Sequence, residues 1–177
     1  MRIRLTVALL LIVVVLPGCT GLPTGVKPVD NFEINRYLGK WYEIARLDHS
    51  FERGMQNVTA EYTMRGDGGV RVINRGYTLA DQKWEQAEGK AYFVEDSSTG
   101  HLKVSFFGPF YGSYVVFELD REDYQYAFVA GYNKDYLWLL SRTPIVSKEL
   151  IERFVAQASA LGFDTDKLIY VSQVMTR

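Results

Sequence analysis

The chain consists largely of segments in which apolar and polar residues alternate, separated by short turn-forming sequences. Because successive side chains of a β-strand point to opposite faces, this alternation predicts strands with one buried face. The connections are too short for helical crossovers, which favours antiparallel neighbours. The eight predicted strands span residues 40–47, 58–64, 70–78, 83–94, 101–107, 113–119, 124–132 and 136–142.

Eight such strands can close into a barrel with an interior just wide enough for one small ligand. After the last strand the period changes, and apolar residues recur at helical spacing between Leu150 and Leu161. Ser147 can cap this helix and Gly162 can end it. We therefore predict an all-β fold with one helix: an eight-stranded antiparallel up-and-down β-barrel, a C-terminal α-helix packed outside it, and a short ninth strand over 167–173.

The N-terminus has the form of a secretory signal. Two arginines precede an apolar run over residues 5–16, which is shorter than the roughly 20 residues that span a bilayer. The run ends in Leu16-Pro17-Gly18-Cys19, which resembles the bacterial lipobox, where the cysteine is acylated and becomes the mature N-terminus. A plain cleaved signal with an incidental cysteine is the alternative. We favour lipidation because Cys19 is the only cysteine of the chain.

These features divide the chain into a lipoprotein signal peptide (1–18), a flexible tether (19–30) and the barrel domain (31–177). The tether contains two prolines and two glycines and shows no periodicity. Thr20 follows the cysteine, in place of the aspartate linked to retention in the inner membrane. We therefore expect a lipid-anchored protein at the outer membrane, on its periplasmic side.

The bulk composition argues against several classes of function. The formal net charge is −1, which gives no reason to expect a nucleic-acid partner. One cysteine and two histidines argue against a metal site of the usual His/Cys kind. The nucleophile motif Gly-x-Ser-x-Gly does not occur, so serine hydrolysis lacks its usual turn. We expect no metal and no cofactor.

Two segments predict how the barrel closes. Gly39 and Trp41 begin the first strand, and Arg142 ends the eighth. If these strands pair, Trp41 and Arg142 meet at the closed end as a structural pair, where a guanidinium stacks well on an indole. Each segment alone is equally typical of an ordinary amphipathic strand.

Three strings carry a resemblance to a known family: YLGKWYEIAR over 37–46, VSFFGPF over 104–110 and DYLWLLSRTP over 135–144. With the order of strands and helix, they resemble the lipocalins, and most closely the bacterial lipocalins, outer-membrane lipoproteins close to apolipoprotein D. The resemblance implies a calyx that binds small apolar or amphipathic molecules. For the bacterial branch it implies fatty acids or lysophospholipids, a role in envelope maintenance, and no catalysis.

The strand alternation predicts which side chains point into the barrel with Trp41 and Arg142. Apolar and aromatic walls with a few phenol hydroxyls suit a ligand with an acyl chain and a polar head. The residues expected at the ligand are Tyr62, Val104, Phe106, Tyr114, Val116, Tyr136 and Trp138. The alternative is that many of them simply fill the core.

Two acidic residues predicted in the barrel interior raise the question of a catalytic function. Glu43 and Glu118 are predicted to point inward, and each is expected to pair with Arg142 or a tyrosine. A glycosidase-type carboxylate pair is the alternative, but no other feature supports it. His49 and His101 are expected at the surface or the mouth.

The preferred function is a lipid-binding protein that stores, scavenges or transports fatty acids or lysophospholipids. One alternative is an interaction protein that acts through its barrel mouth or outer face, including as a homodimer, with aromatics from the 49–56 loop and from 108–112. The other is an enzyme of the isomerase type on the same fold, which the lack of an interior thiol disfavours.

Overall fold

The computed structural model describes residues 19–173. Within this range there are nine strands, two α-helices and one 3₁₀ turn. The strands are β1 (Gly39–Arg46), β2 (Met55–Met64), β3 (Val70–Thr78), β4 (Lys83–Phe93), β5 (His101–Ser105), β6 (Gly112–Leu119), β7 (Tyr126–Ala130), β8 (Leu137–Ser141) and β9 (Ile169–Tyr170). The helices are α1 (Ile34–Tyr37) and α2 (Lys148–Ala160), and Thr165–Lys167 forms the 3₁₀ turn.

The first eight strands form a closed barrel. Each strand from β1 to β7 pairs antiparallel with the next one along the chain, and β8 pairs with β1. Closure leaves no long unpaired strand edge. The short β9 adds to β1, with Ala45 opposite Tyr170. The predicted barrel, external helix and ninth strand are confirmed, although β9 is shorter than the predicted 167–173.

The up-and-down order places the connecting loops at two opposite ends of the barrel. Trp41 lies near the start of β1, where α1 and the buried Phe32 cover the closed end. The loops 65–69, 94–100 and 120–125 lie at this end. The opposite, open end carries the loops 47–54, 79–82, 106–111 and 131–136.

Helix α2 covers only one side of the barrel. The Ser147 hydroxyl accepts a hydrogen bond from the Leu150 amide at 3.2 Å and caps the helix, as predicted. Phe154 is fully buried, and its ring lies 5.0 Å from that of Phe128 on β7. The apolar layer under α2 is built from β1, β6, β7 and β8. The outer faces of β2, β3 and β4 carry exposed polar side chains instead, such as the ion pair Arg71–Glu88.

Three strand pairings of the barrel shift register by one residue, and the β-bulges in β1 and β6 reverse predicted side-chain directions. The pairing of β1 with β8 shifts register at Ile44, and that of β6 with β7 shifts at Phe117. A bulge inserts one unpaired residue, so the side-chain alternation inverts beyond it. Ala45 therefore packs in the outer layer and Arg46 turns inward, the reverse of what a strict alternation from Trp41 would give.

Glu118 is the second residue that a bulge turns away from its predicted position. Its Oε2 accepts a hydrogen bond of 3.2 Å from Gln157 on α2, which lies outside the barrel. The prediction that Glu118 points inward is therefore wrong, because the extra residue at Phe117 leaves two successive side chains on the outer face. Consequently Glu43 and Glu118 do not form a carboxylate pair.

The segment after Cys19 packs along the barrel, in contrast to the flexible tether expected at 19–30. The Ser113 amide donates to the Cys19 carbonyl at 2.9 Å, and the Val29 amide donates to the Val116 carbonyl at 2.8 Å. Val26 and Val29 are buried. The predicted signal peptide, residues 1–18, lies outside the described residues. Within residues 19–173 there is no helix with the length and apolar character needed to cross a bilayer.

Candidate ligand-binding site

The barrel encloses a cavity of about 100 Å³ whose walls are mainly apolar. Five of the seven residues expected at the ligand line it, namely Tyr62, Val104, Phe106, Tyr114 and Trp138. Val116 is fully buried in the inner core and is not part of the lining. Tyr136 lies at the open end, stacked on Trp138 with 6.1 Å between the ring centroids. The inward alternation thus brings most of the expected residues to one space.

Three tyrosines form a polar patch at the base of this cavity. The Tyr114 hydroxyl lies 2.7 Å from that of Tyr37 and 2.9 Å from that of Tyr62. Burial raises the pKa of all three phenols above the ordinary value of 10.0, so they stay neutral. Tyr114 hydrogen-bonds both of the other hydroxyls, so each of the three buried phenols has a partner.

Below the tyrosines, Trp41 and Arg142 meet as the sequence predicts. The Arg142 guanidinium lies 3.9 Å from the centre of the Trp41 ring, and the indole donates to the Tyr37 carbonyl at 2.8 Å. Arg142 also donates to the carbonyls of Lys40 and Arg36, at 2.9 and 2.8 Å. The pair therefore ties α1, β1 and the end of β8 together.

The glycine of the Gly-x-Trp motif has a clear physical role at this position. Gly39 has a φ of +91°, a left-handed conformation that L side chains rarely adopt. A Cβ here would lie 3.5 Å from Nη1 of Arg142, an ordinary contact, so the backbone conformation and not the space requires the glycine. Glycine thus allows the chain to turn from α1 into β1 beside the guanidinium.

A buried ionic network lies near the open end. Arg46 Nη1 donates to Glu43 Oε1 at 2.7 Å, and Arg46 Nη2 donates to the Glu52 carbonyl at 2.7 Å. The sequence predicts Arg142 or a tyrosine as the partner of Glu43, which is wrong. The bulge at Ile44 supplies Arg46 instead, and alternation alone could not reveal it.

The two carboxyl groups of this network differ in protonation. Burial raises the pKa of Glu43 well above its ordinary value of 4.5, and the neighbouring Glu52 charge adds to this effect. Burial acts in the same direction on Glu52, but hydrogen bonding and charge from His49 outweigh it and lower the pKa of Glu52. Glu43 is therefore the neutral partner and Glu52 the ionised one.

The sequence predicts both histidines at the surface or the mouth; both are buried, and only His49 has one of the expected positions. His49 lies at the mouth, with Nε2 3.0 Å from Glu52 Oε2 and its ring centroid 5.2 Å from that of Trp138. His101 is 6% exposed, and its Nε2 lies 3.3 Å from the Ser113 hydroxyl. Because the segment after Cys19 covers this part of β6, His101 is neither a surface nor a mouth residue.

Trp138 connects the ionic network to the cavity. Its Nε1 lies 3.3 Å from Glu52 Oε2, and its ring forms part of the cavity wall. The site therefore combines apolar walls with two polar regions, the tyrosines at the base and the Glu43–Arg46–Glu52 network near the mouth. This arrangement suits an amphipathic molecule with one long apolar part.

The comparisons with known proteins agree with this geometry. A family model described as a lipocalin-like domain matches residues 32–173. The outer membrane lipoprotein Blc of Vibrio cholerae serotype O1 is 64% identical over 165 residues, covering 93% of this chain and 96% of that protein. Apolipoprotein D of Bos taurus is 30% identical over 151 residues, covering 82% and 79%.

The solved structures agree on the fold. Insecticyanin from the tobacco hornworm Manduca sexta superposes with a TM-score of 0.68 at 24% identity, covering 86% of each chain. At that identity the likeness concerns the fold alone. The family match over 32–173 and the identity to the Vibrio protein decide the assignment, and this chain belongs to the lipocalin family.

Proposed function

We propose that this lipocalin is a lipid-binding protein of the outer membrane that holds fatty acids or lysophospholipids in its calyx. It would store, scavenge or transport them in envelope maintenance. The observation that carries the proposal is the apolar cavity that ends at Trp138 and the ionic network. Each buried methylene of an acyl chain contributes about 0.8 kcal/mol, so ten or more can support micromolar binding after the ordering costs.

The size of the cavity adds a condition to this proposal. Ligand pockets usually measure roughly 300–1,000 Å³, whereas this cavity measures about 100 Å³. A long acyl chain therefore requires side chains of the wall to change rotamer as it enters. Phe106 and Trp138 are large, partly exposed lining residues, so they can move with less loss of packing than the buried lining residues Val70 and Val72.

We expect Trp138→Ala to weaken the binding of a fatty acid or lysophospholipid by roughly tenfold or more. The substitution removes the aromatic wall at the inner mouth and the hydrogen bond to Glu52. Titration with a fluorescent fatty acid, followed by competition with the natural lipid, measures the effect.

Trp84→Ala is the matched control for this titration, because Trp84 is 53% exposed at the open end of β4 and does not line the cavity. It should bind as the native protein does. Unchanged affinity in Trp138→Ala, with the melting temperature preserved, would contradict the proposed site.

The proposed location rests on Cys19. It is exposed, and the Vibrio cholerae relative is named an outer membrane lipoprotein. We expect Cys19→Ser to release the protein into the soluble periplasmic fraction, because serine offers no thiol for acylation. Fractionation of cells followed by immunoblotting tests this, with Ser97→Ala as a control. Continued association with the outer membrane would overturn the anchor.

A binding role also fits the chemistry of the interior better than catalysis. The only thiol of the chain is Cys19, which lies outside the barrel. Arg46 hydrogen-bonds the Glu43 carboxyl and the Glu52 carbonyl, and among the side chains of Glu43, Arg46 and Glu52 only Arg46 Nε is buried without a partner. This supports a binding protein over an isomerase-type enzyme.

A further inference from the structure

Exposed apolar side chains occur on every loop at the open end of the barrel. Each of the four loops contributes at least one large side chain that faces solvent. These side chains are Phe51 (61% exposed), Leu79 (48%), Phe107 (70%), Phe110 (75%) and Tyr132 (37%). They belong to four separate hairpins, yet they encircle one opening. We call this set the apolar rim.

The closed end has the opposite character. Its three hairpin loops, 65–69, 94–100 and 120–125, contain six acidic side chains and two arginines. Within these described loops no large apolar side chain is exposed. Met64 and Ile145 are exposed nearby, but as single residues, which is common on protein surfaces. A cluster of exposed apolar side chains is therefore a property of the open end and not of the closed end.

Charge does not oppose contact between the apolar rim and a lipid surface. In the loop 47–54, Arg53 pairs with Asp48 at 2.9 Å, and beside the loop 79–82 Lys83 lies 3.5 Å from Asp81. These rim charges thus largely neutralise one another. Exposed aromatic and aliphatic side chains without a strong field are typical of insertion at a membrane interface, where burial of apolar area drives binding.

Cys19 lies beside the same rim. It forms a parallel bridge with Gly112, the first residue of β6, which directly follows the loop that carries Phe107 and Phe110. The hydrogen bond from the Ser113 amide to the Cys19 carbonyl holds it there. From this point the chain continues along β6 toward Val29, away from the open end. Acyl chains on Cys19 would therefore emerge at the mouth.

We propose that the open end of the barrel docks on the lipid leaflet that holds the acylated Cys19, with the apolar rim inserted among the headgroups. The calyx then opens directly onto the bilayer, and a lipid can enter it without crossing water. This inference rests on the proposed lipidation and goes beyond it, because an anchor alone does not fix which end of the barrel faces the membrane.

The test uses the full chain, acylated in a bacterial host and reconstituted into vesicles of phosphatidylethanolamine and phosphatidylglycerol. Acylation blocks the only native cysteine, so a new cysteine can carry an environment-sensitive dye. The dye is placed at the rim by Phe110→Cys and, as the control, at the closed end by Ser97→Cys. Both positions are exposed in the structure.

We expect the rim dye to shift to the blue and to lose about half of its emission when the vesicles contain brominated acyl chains. The dye at the closed end should show neither effect. Equal responses at the two positions would mean that the barrel tumbles freely on its anchor, and a response at position 97 alone would mean the opposite orientation. Either result overturns the proposal.

Further outcomes distinguish a failure of membrane docking from a failure of the proposed lipidation of Cys19. Protein that carries acyl chains and floats with the vesicles, but whose rim dye stays in water, would refute docking and leave the anchor intact. Protein that lacks acyl chains and does not float would refute both. A shielded rim dye that brominated lipid does not quench, together with cross-linked dimers, would mean that a second copy covers the rim.

A functional readout uses residues outside the cavity wall. We expect Phe107→Ser combined with Phe110→Ser to slow the transfer of a fluorescent fatty acid from vesicles into the calyx about threefold or more. The affinity for the same fatty acid presented in solution should not change. Ile145→Ser, which removes an 80% exposed side chain distant from the mouth, is the control. Unchanged transfer in the double variant would count against docking.

Discussion

Replacing Arg46 with methionine lowers the free energy of unfolding by about 2–6 kcal/mol, because two buried acceptors lose their charged donor and each unpaired group costs about 1–3 kcal/mol. The Arg46 side chain is 1% exposed, and its guanidinium bonds the Glu43 carboxyl and the Glu52 carbonyl. Methionine fills part of the volume but offers no donor to either oxygen, so both acceptors stay buried and unpaired. Urea unfolding followed by tryptophan fluorescence measures the loss.

The same substitution at Arg53 is the matched control. Arg53 pairs with Asp48 at 2.9 Å, but its side chain is 66% exposed. Exposed pairs contribute at most about 1 kcal/mol, so Arg53→Met should change the free energy of unfolding little. Similar losses in the two variants would mean that the inner pair is no stronger than a surface one.

Glu43→Gln tests the protonation of the same network. Since burial raises the pKa of Glu43, the folded protein holds a proton that the unfolded chain releases near pH 4.5. The native protein therefore loses stability as the pH rises from about 4.5 through the folded-state pKa. Glutamine removes this term, so the variant should gain relative to the native protein over that range. A loss as large as that of Arg46→Met would instead mean that Glu43 is ionised.

Trp41→Ala should lower the free energy of unfolding by about 3–5 kcal/mol, the usual cost of truncating a buried tryptophan. The indole is fully buried, packs on Tyr37 with 4.7 Å between the ring centroids, and stacks on Arg142. Thermal and urea unfolding measure the effect. Trp84→Ala is again the control, since more than half of that side chain is exposed.

Arg142→Ala removes the other half of the closed-end pair. It loses the stacking on Trp41 and the bonds to the carbonyls of Arg36 and Lys40. We therefore expect a clear fall in the melting temperature. The affinity for a fatty acid should change less, because the cavity wall is unchanged. If the variant melts normally but binds poorly, the ligand lies at the closed end beside Arg142 and not in the proposed site.

The parts of the structure that the sequence predicts well depend on repetition and on short connections. The alternation in each strand and the turns between strands indicate eight antiparallel neighbours, and the change of period indicates α2. The pairing of the first and last strands then follows from closure, which brings Trp41 to Arg142. No single strand had to be placed accurately for these conclusions to hold.

The parts that alternation misses are those where one residue interrupts it. The bulges at Ile44 and Phe117 contain no glycine and no other residue that would reveal them in the sequence. The inward position of Arg46 and the outward position of Glu118 therefore could not be predicted. The same limit applies to residues 19–30, whose composition indicates a linker. Val26 and Val29 pack because the outer wall offers them a surface, which local composition does not encode.

The position of α2 gives the barrel a wall of unequal thickness. Strands β6, β7, β8 and β1 are sealed between the inner core and the helix layer, whereas β2, β3 and β4 face solvent with polar side chains. Backbone hydrogen bonds on the single-layered side break and re-form more readily than those under the helix. When the calyx expands for a lipid tail, we expect strands β2, β3 and β4 to move apart. Helix α2 stabilises the opposite side of the barrel, which keeps its shape.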